Sequence, residues 1–330
     1  MSESDGAASA EDDPTRVAIA CQGGGSHTAF TAGVLCTLLD DWNDDYELVG
    51  ISGTSGGAFN ALAVWYGLLT DGPERASDLV TSVWDDIAAT TPTDRTTNEW
   101  LTGLNRLESA GYPLPHVTPY QFPGPELGKE RIRSILERYI DFESIPGLCT
   151  AGAPELVVGT VNVNEGYFET FTNEAVTVEA VLASAAVPTL FEAVEIHGHL
   201  HWDGLFSQNP PINDLMHVPP ARKPEELWIV QINPQRFEGE PRTADAIADR
   251  RNQLSGNLSL NQELRFIERV NEWVEDGTLP AEEFTHTEIR RIELGKQLGC
   301  ATKVDRSPQF IESLQELGRE RARAFLDEQE

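Results

Sequence analysis

Ser55 lies in Gly53-Thr54-Ser55-Gly56-Gly57, a G-x-S-x-G pattern that follows a β-branched and apolar run (Leu48, Val49, Ile51) and precedes a helix-compatible one. A serine on a sharp strand-to-helix turn exposes its hydroxyl, and small neighbours let the backbone approach a substrate carbonyl. The same residues could form a glycine-rich turn with a capping serine. The flanking strand and helix favour a nucleophile. A second group, Gly23-Gly24-Gly25, directly follows a short apolar strand and precedes a helix. Consecutive amides in that setting bind anions, either a nucleotide phosphate or the oxyanion of an acyl-transfer intermediate. GGGSHT lacks both the Lys-Ser/Thr ending of a P-loop and the G-x-G-x-x-G spacing. With Ser55 nearby, the oxyanion reading is preferred. The third group is Asp203-Gly204, followed by Asn209-Pro210-Pro211-Ile212. Asp-Gly is more often a turn than a site, but a nucleophilic serine needs a base and no histidine is obviously placed to be one.

Two rival constellations use histidine. His197, His199 and His201 alternate, as a zinc triad on one strand face would, although Gly198 within the run favours a hairpin turn. His217 lies after Asp203 and could complete a Ser–Asp–His order, with His286 as a second candidate. His116 reads as incidental.

These groups must be positioned by a framework, and the chain supplies a strand-helix rhythm. Residues 15–22 read as a strand, 27–39 as a helix, 46–54 as a strand and 57–69 as a helix, the pattern of a parallel α/β sheet. A helix is expected over 73–88. Residues 90–127 then lose periodicity and gather prolines and aromatics, which predicts either a lid or acyl-chain wall or a plain surface excursion. Further helices are expected over 129–140 and 178–186, a hairpin over 155–172, and strands over 190–196, 200–202, 226–233 and 288–294. The stripe Leu260, Leu264, Ile267, Asn271 and Val274 predicts that a helix over 243–275 packs on the sheet. A closing helix is expected over 308–326.

The chain has 330 residues and a net charge of −30, from 54 acidic and 24 basic residues, only four of them lysine. The acids are spread along the chain. A carboxylate-coated surface suits a salt-rich interior, where counterions screen self-repulsion. An intracellular halophile protein is therefore expected, with a moderately acidic mesophilic enzyme as the alternative. No nucleic acid partner is expected, because phosphate binding needs clustered Lys and Arg. Cys21, Cys36, Cys149 and Cys300 are widely spaced, without a C-x-x-C pair, which argues against a disulfide framework or a zinc knuckle. No stretch approaches the length of a transmembrane helix, and the N-terminal 14 residues read as a disordered acidic tail rather than a signal peptide. The expected location is cytoplasmic, with peripheral contact at the inner membrane face left open.

QGGGSHTAFTAGVL (22–35), GTSGG (53–57) and SAAVPTLFEAVEIHGHLHWDGLFSQNPPI (184–212) resemble the three signature blocks of patatin-like phospholipases, in order and spacing. The resemblance covers roughly residues 15–233. It implies a three-layer α/β/α fold with a mostly parallel sheet and a lipid acyl hydrolase with a Ser–Asp dyad. Carried over by position, Ser55 is the nucleophile, Asp203 the general base, and the amides of Gly24 and Gly25 the oxyanion donors. Gly23, His27, Gly53, Gly57 and Gly204 support them, and the Ser-Ala-Ala-x-Pro segment packs beneath the site. It implies a lipid or ester substrate and neither metal nor cofactor; the oligomeric state stays open. The implied organisation is a catalytic domain over 15–235, with a mainly helical extension over 236–330 packed on it. Two positions depart from the family pattern. The first block usually ends in a basic residue followed by glycine, where this chain has His27 and Thr28, and His27 is expected to titrate near neutrality. The third block often reads Asp-Gly-Gly or Asp-Gly-Ala, where this chain has Leu205.

Overall fold

The computed structural model describes residues 13–109, 112, 118–121 and 124–328. Segment 1–12, most of the expected acidic tail, and His116 lie outside them. β1 (Thr15–Cys21), α1 (Ala29–Asp40), β2 (Tyr46–Thr54) and α2 (Gly56–Asp71) alternate as the glycine-punctuated sequence predicts. Next come α3 (Pro73–Ile87), α4 (Pro92–Ser109), α5 (Gly124–Tyr139) and the single turn α6 (Ile145–Leu148). β3 (Glu155–Asn162) and β4 (Tyr167–Thr172) form a hairpin, α7 (Val178–Ser184) follows, and β5 (Val194–Ile196) and β6 (His199–Asp203) form a second hairpin. The chain closes with α8 (Asn213–Met216), β7 (Glu226–Gln231), α9 (Ala244–Glu275), β8 (Glu288–Glu293) and α10 (Pro308–Asp327).

The strands make one mixed sheet in the order β5-β6-β3-β2-β1-β7-β8, with β4 paired to β3 off that path. The run from β3 through β2, β1 and β7 to β8 is parallel, and the β4, β5 and β6 pairings are antiparallel. Parallel strands are covered on both faces, so their sequences are continuously apolar. Alternation then sorts each strand between two cores. Val17, Ile19 and Cys21 of β1 face the larger one, with α1, α2, α3 and α10, while Ala18 and Ala20 face the smaller one, with α9. Leu260, Leu264 and Ile267 of α9 are buried in that second layer, so the predicted stripe does pack on the sheet. Among the described residues no helix is long and apolar enough to cross a membrane.

One expectation fails. Residues 92–109 are not an irregular excursion but an 18-residue helix, α4, and α5 already begins at Gly124. Proline is well placed at a helix start, where its missing N–H costs nothing, and Pro92 begins α4 as Pro73 begins α3. α4 is fixed through buried Asn98, which donates to Asp305 at 3.1 Å and accepts the Arg306 N–H at 2.8 Å.

Candidate active site

Ser55 closes β2 and opens α2 with φ 56° and ψ −130°. A non-glycine residue held there costs on the order of 1–3 kcal/mol. The Ser55 N–H donates to the Ser184 hydroxyl at 2.9 Å, and that hydroxyl donates to the Gly159 carbonyl at 2.7 Å. One such bond contributes about 1 kcal/mol net, so tight backbone packing must supply the rest. A Cβ on Gly53 would strike the Gly57 backbone, and a Cβ on Gly57 would strike the Cys21 carbonyl. Only glycine lets β1, β2 and α2 close around the elbow.

The partner of Ser55 is set by strand register. Thr54 pairs with Gly159 of β3. Asp203, the last residue of β6, pairs with Thr160, the next residue along the same strand. β4 occupies the other edge of β3 over Val157–Asn162. β2 and β6 therefore share one edge of β3 and end facing each other, which brings Ser55 and Asp203 together from 148 positions apart (203 − 55). Gly204 fits this junction because a Cβ there would lie 2.9 Å from the Gly159 carbonyl oxygen.

Asp203 is fully buried and Ser55 is 7% exposed. The Asp203 N–H donates to the Ala186 carbonyl at 3.0 Å, and its Oδ1 accepts the Leu205 N–H at 2.9 Å. Its Oδ2 has no hydrogen-bond partner. Burial pushes the Asp203 carboxyl up from 3.8 to about 7, while the Ser55 hydroxyl, the Leu205 N–H and the Lys303 ammonium pull it down. The hydroxyl thus acts on the carboxylate although no hydrogen bond of ordinary geometry joins it to Oδ2. A buried carboxylate with an unpartnered oxygen, balanced near neutrality, can take a proton.

The glycine loop is held by amides rather than by charge. The Gly23 N–H donates to Asn209 Oδ1 at 2.6 Å, and Asn209 Nδ2 donates back to the Gly23 carbonyl at 3.3 Å. Gln22 Nε2 donates to the Asn209 carbonyl and to Asn257 Oδ1, both at 3.0 Å, and Gln22 Oε1 accepts the Ile232 and Asn233 N–H groups. Gly23 is thereby saturated. The N–H groups of Gly24 and Gly25 have no acceptor among the described residues, and Gly25 adopts φ 59°. Gln22, Asn209, Asn257 and Lys303 were not foreseen as functional. Gln22 and Asn209 lie inside the quoted blocks, but their pairing spans 187 positions.

His27 departs from the expectation of a group titrating near neutrality. It is buried at 3% exposure, bonded through Nε2 to Thr302 Oγ1 at 2.8 Å, and set edge-on to Phe310. Burial, reinforced by the nearby Lys303 ammonium, drives its ring down to about 3. It is therefore neutral at physiological pH. The alternating histidines do not converge. His197 sits in the hairpin turn with φ 52°, His199 faces Glu165, and His201 is buried with Nε2 at 2.9 Å from Glu169 and Nδ1 at 3.0 Å from the His199 carbonyl. His286 pairs with Glu275 at the surface, and His217 ends α8.

The match that decides the family covers more than half of the chain: the family described as patatin-like phospholipase matches residues 19–216. The chain belongs to the patatin-like phospholipase family. Its fold is the patatin-like α/β/α arrangement, and the family is one of lipid acyl hydrolases. A crystal structure of VipD from Legionella pneumophila is similar at a TM-score of 0.46 and 12% identity, over 96% of this chain and 67% of VipD. No curated protein matches the chain. In this patatin-like protein two open surface clefts, of about 470 and 250 Å³, lie elsewhere. The first is lined by Tyr66 and residues 137–143 and the second by Asn98, Ser307 and their neighbours. Neither includes Ser55 or Asp203.

Proposed function

We propose that this protein is a serine acyl hydrolase that cleaves fatty-acyl ester bonds, with Ser55 as nucleophile, Asp203 as general base and the Gly24 and Gly25 amides as oxyanion donors. The end-to-end meeting of β2 and β6 on β3 supports the reading, because β6 ends in Asp203, whose buried Oδ2 has no partner, on the rung next to the one where β2 runs into Ser55. Asp203 takes the Ser55 proton as Oγ bonds to the ester carbonyl carbon. The carbonyl oxygen becomes an oxyanion against the two amides, each worth on the order of a hundredfold or more in rate. Collapse breaks the ester C–O bond, and the leaving alcohol takes the proton from Asp203. Water then gives a proton to Asp203 and attacks the acyl-Ser55 carbon, releasing the fatty acid and restoring Ser55. A base balanced near pH 7 suits this exchange in both directions.

A Ser–His–Asp arrangement has little support, since neither His217 nor His286 is bonded to Ser55 or Asp203. A catalytically inert lipid binder is the remaining alternative. Fluorophosphonate labelling decides between them. Labelling lost in Ser55→Ala, together with p-nitrophenyl ester hydrolysis lost in Ser55→Ala and Asp203→Asn, is the expected result. A wild-type protein that neither labels nor hydrolyses is the inert binder.

The surroundings are part of the same reading. The segment 236–330 belongs to the catalytic domain, because β8 extends the sheet and α9 and α10 cover opposite faces of it. The net charge of −30 supports a halophile's cytoplasm. Contact with lipid would be peripheral, and Trp100 and Leu107 on α4 and Leu254 and Leu258 on α9 are exposed apolar side chains available for it.

A further inference from the structure

The cover over the glycine loop comes from outside the matched family region. It is a 3₁₀ turn, Cys300–Val304, in the C-terminal extension. Thr302 Oγ1 holds His27, and a Cβ on Gly25 would strike the Lys303 carbonyl, so the turn lies directly against the candidate oxyanion loop. Asn98 of α4 secures its far end at Asp305 and Arg306. The Lys303 side chain is 22% exposed and ion-paired with Asp249 of α9, which also accepts from Gln253 Nε2 at 2.7 Å.

The elements packed around Asp203 bring few charges. The glycine turn brings His27, which is neutral, and α9 brings Asp249 and Glu263. The hairpin strands bring the paired Glu169 and His201. Lys303 is the charged group that bears on both His27 and Asp203. Lys303 lies against Gly25 of the glycine loop, and a charge acts over a longer range across a buried, low-dielectric site than through water. The first block, whose terminal position here is His27, provides no cation of its own.

We propose that Lys303, delivered by the C-terminal extension, supplies the positive charge of the Ser55–Asp203 site and acts on the reaction through Asp203. The proposal rests on the dyad reading above. It makes Lys303 a positioning residue with Asp249 as its counterweight. The ammonium favours ionised Asp203, and the Asp249 carboxylate offsets part of that effect.

The test is the pH dependence of kcat/KM for a p-nitrophenyl ester, whose acid limb reports the base of the free enzyme. Lys303→Met should move the acid limb up by on the order of half a pH unit or more. Lys303→Arg, which keeps the charge, should leave it in place, and Asp249→Asn should move it down. An acid limb unmoved in Lys303→Met overturns the proposal. So does an equal upward shift in Lys303→Met and Asp249→Asn, which would mark a structural effect of breaking the pair. If Ser55 labels and turns over normally while the acid limb fails to respond, the Lys303 assignment alone is wrong. If Ser55 does not label at all, the dyad reading and this proposal fall together.

Discussion

The Ser184 hydroxyl lies beneath Ser55, accepting its N–H at 2.9 Å while donating to the Gly159 carbonyl at 2.7 Å. One buried side chain thus ties the Ser55 backbone to the strand that also registers Asp203. Ser184→Ala leaves a buried N–H and a buried carbonyl unmet, a loss of roughly 1–3 kcal/mol. We expect a lower unfolding midpoint, and a fall in kcat with KM nearly unchanged. An unchanged kcat would show that Ser55 holds its turn without this bond.

Gly23 is packed against the elbow, where a Cβ would lie 2.5 Å from the Thr54 carbonyl oxygen and 2.9 Å from Ser55 Cβ. Gly23→Ala must shift Ser55, and with Ser55 as the proposed nucleophile a displacement approaching 1 Å costs on the order of a hundredfold in rate. Gly103, in α4 with open space around it, is the control. Gly103→Ala should stabilise by roughly 0.5–1 kcal/mol. Ester hydrolysis and thermal unfolding, measured on both variants, check the contrast.

The acid limb of kcat/KM should fall near pH 7, where Asp203 gains its proton. The same shift bears on stability. The folded-state value lies above the ordinary 3.8, so the folded protein binds the proton more tightly than the unfolded chain does. The stability associated with that proton is fully present below about pH 3.8, falls as pH rises, and is gone above about 7. Asp203→Asn should therefore abolish activity yet stabilise the fold by a few kcal/mol at pH 8, with little effect at pH 3.5. Glu263, also pushed to about 7 by burial, is a useful comparison. Glu263→Gln should leave the acid limb of the rate profile in place.

Removing His217 and His286 together should leave ester hydrolysis within about twofold of the parent, the ordinary result for residues outside the reacting groups. A drop of a hundredfold or more would reinstate a histidine base.

Added KCl should raise both the unfolding midpoint and the rate on anionic phospholipid vesicles. Screening shortens the reach of surface charges to about 3 Å at 1 M salt, which relieves the repulsion of a −30 chain from itself and from anionic lipid. A rate that falls steadily with KCl would contradict both a salt-adapted surface and peripheral lipid contact.

Much of the framework was legible because burial on both faces makes β1, β3 and β7 read as unbroken apolar runs. The glycines of the elbow and loop mark close backbone approach in the sequence itself. α4 was hidden by its composition. Thr96 and Thr97 return their hydroxyls to the Pro92 and Thr93 carbonyls at 3.0 Å, and Asn98 and Asn105 interrupt the apolar spacing. Such residues satisfy the backbone locally and weaken the helical signature. The state of His27 was out of reach for another reason. Thr302, Lys303 and Phe310, which surround it, lie about 275 to 283 positions further along the chain. No local pattern reports an environment assembled at that distance.

The junction on β3 also acts as a ruler. Thr54 and Asp203 are measured against adjacent rungs, Gly159 and Thr160. A one-residue slip of β6 would carry Asp203 about 3.3 Å along the strand and turn its carboxylate to the opposite face of the sheet. The spacing of the two groups is therefore stored in strand phase rather than in the lengths of the connections between them. Those connections are free to drift in length, whereas the phase of β6 on β3 is fixed.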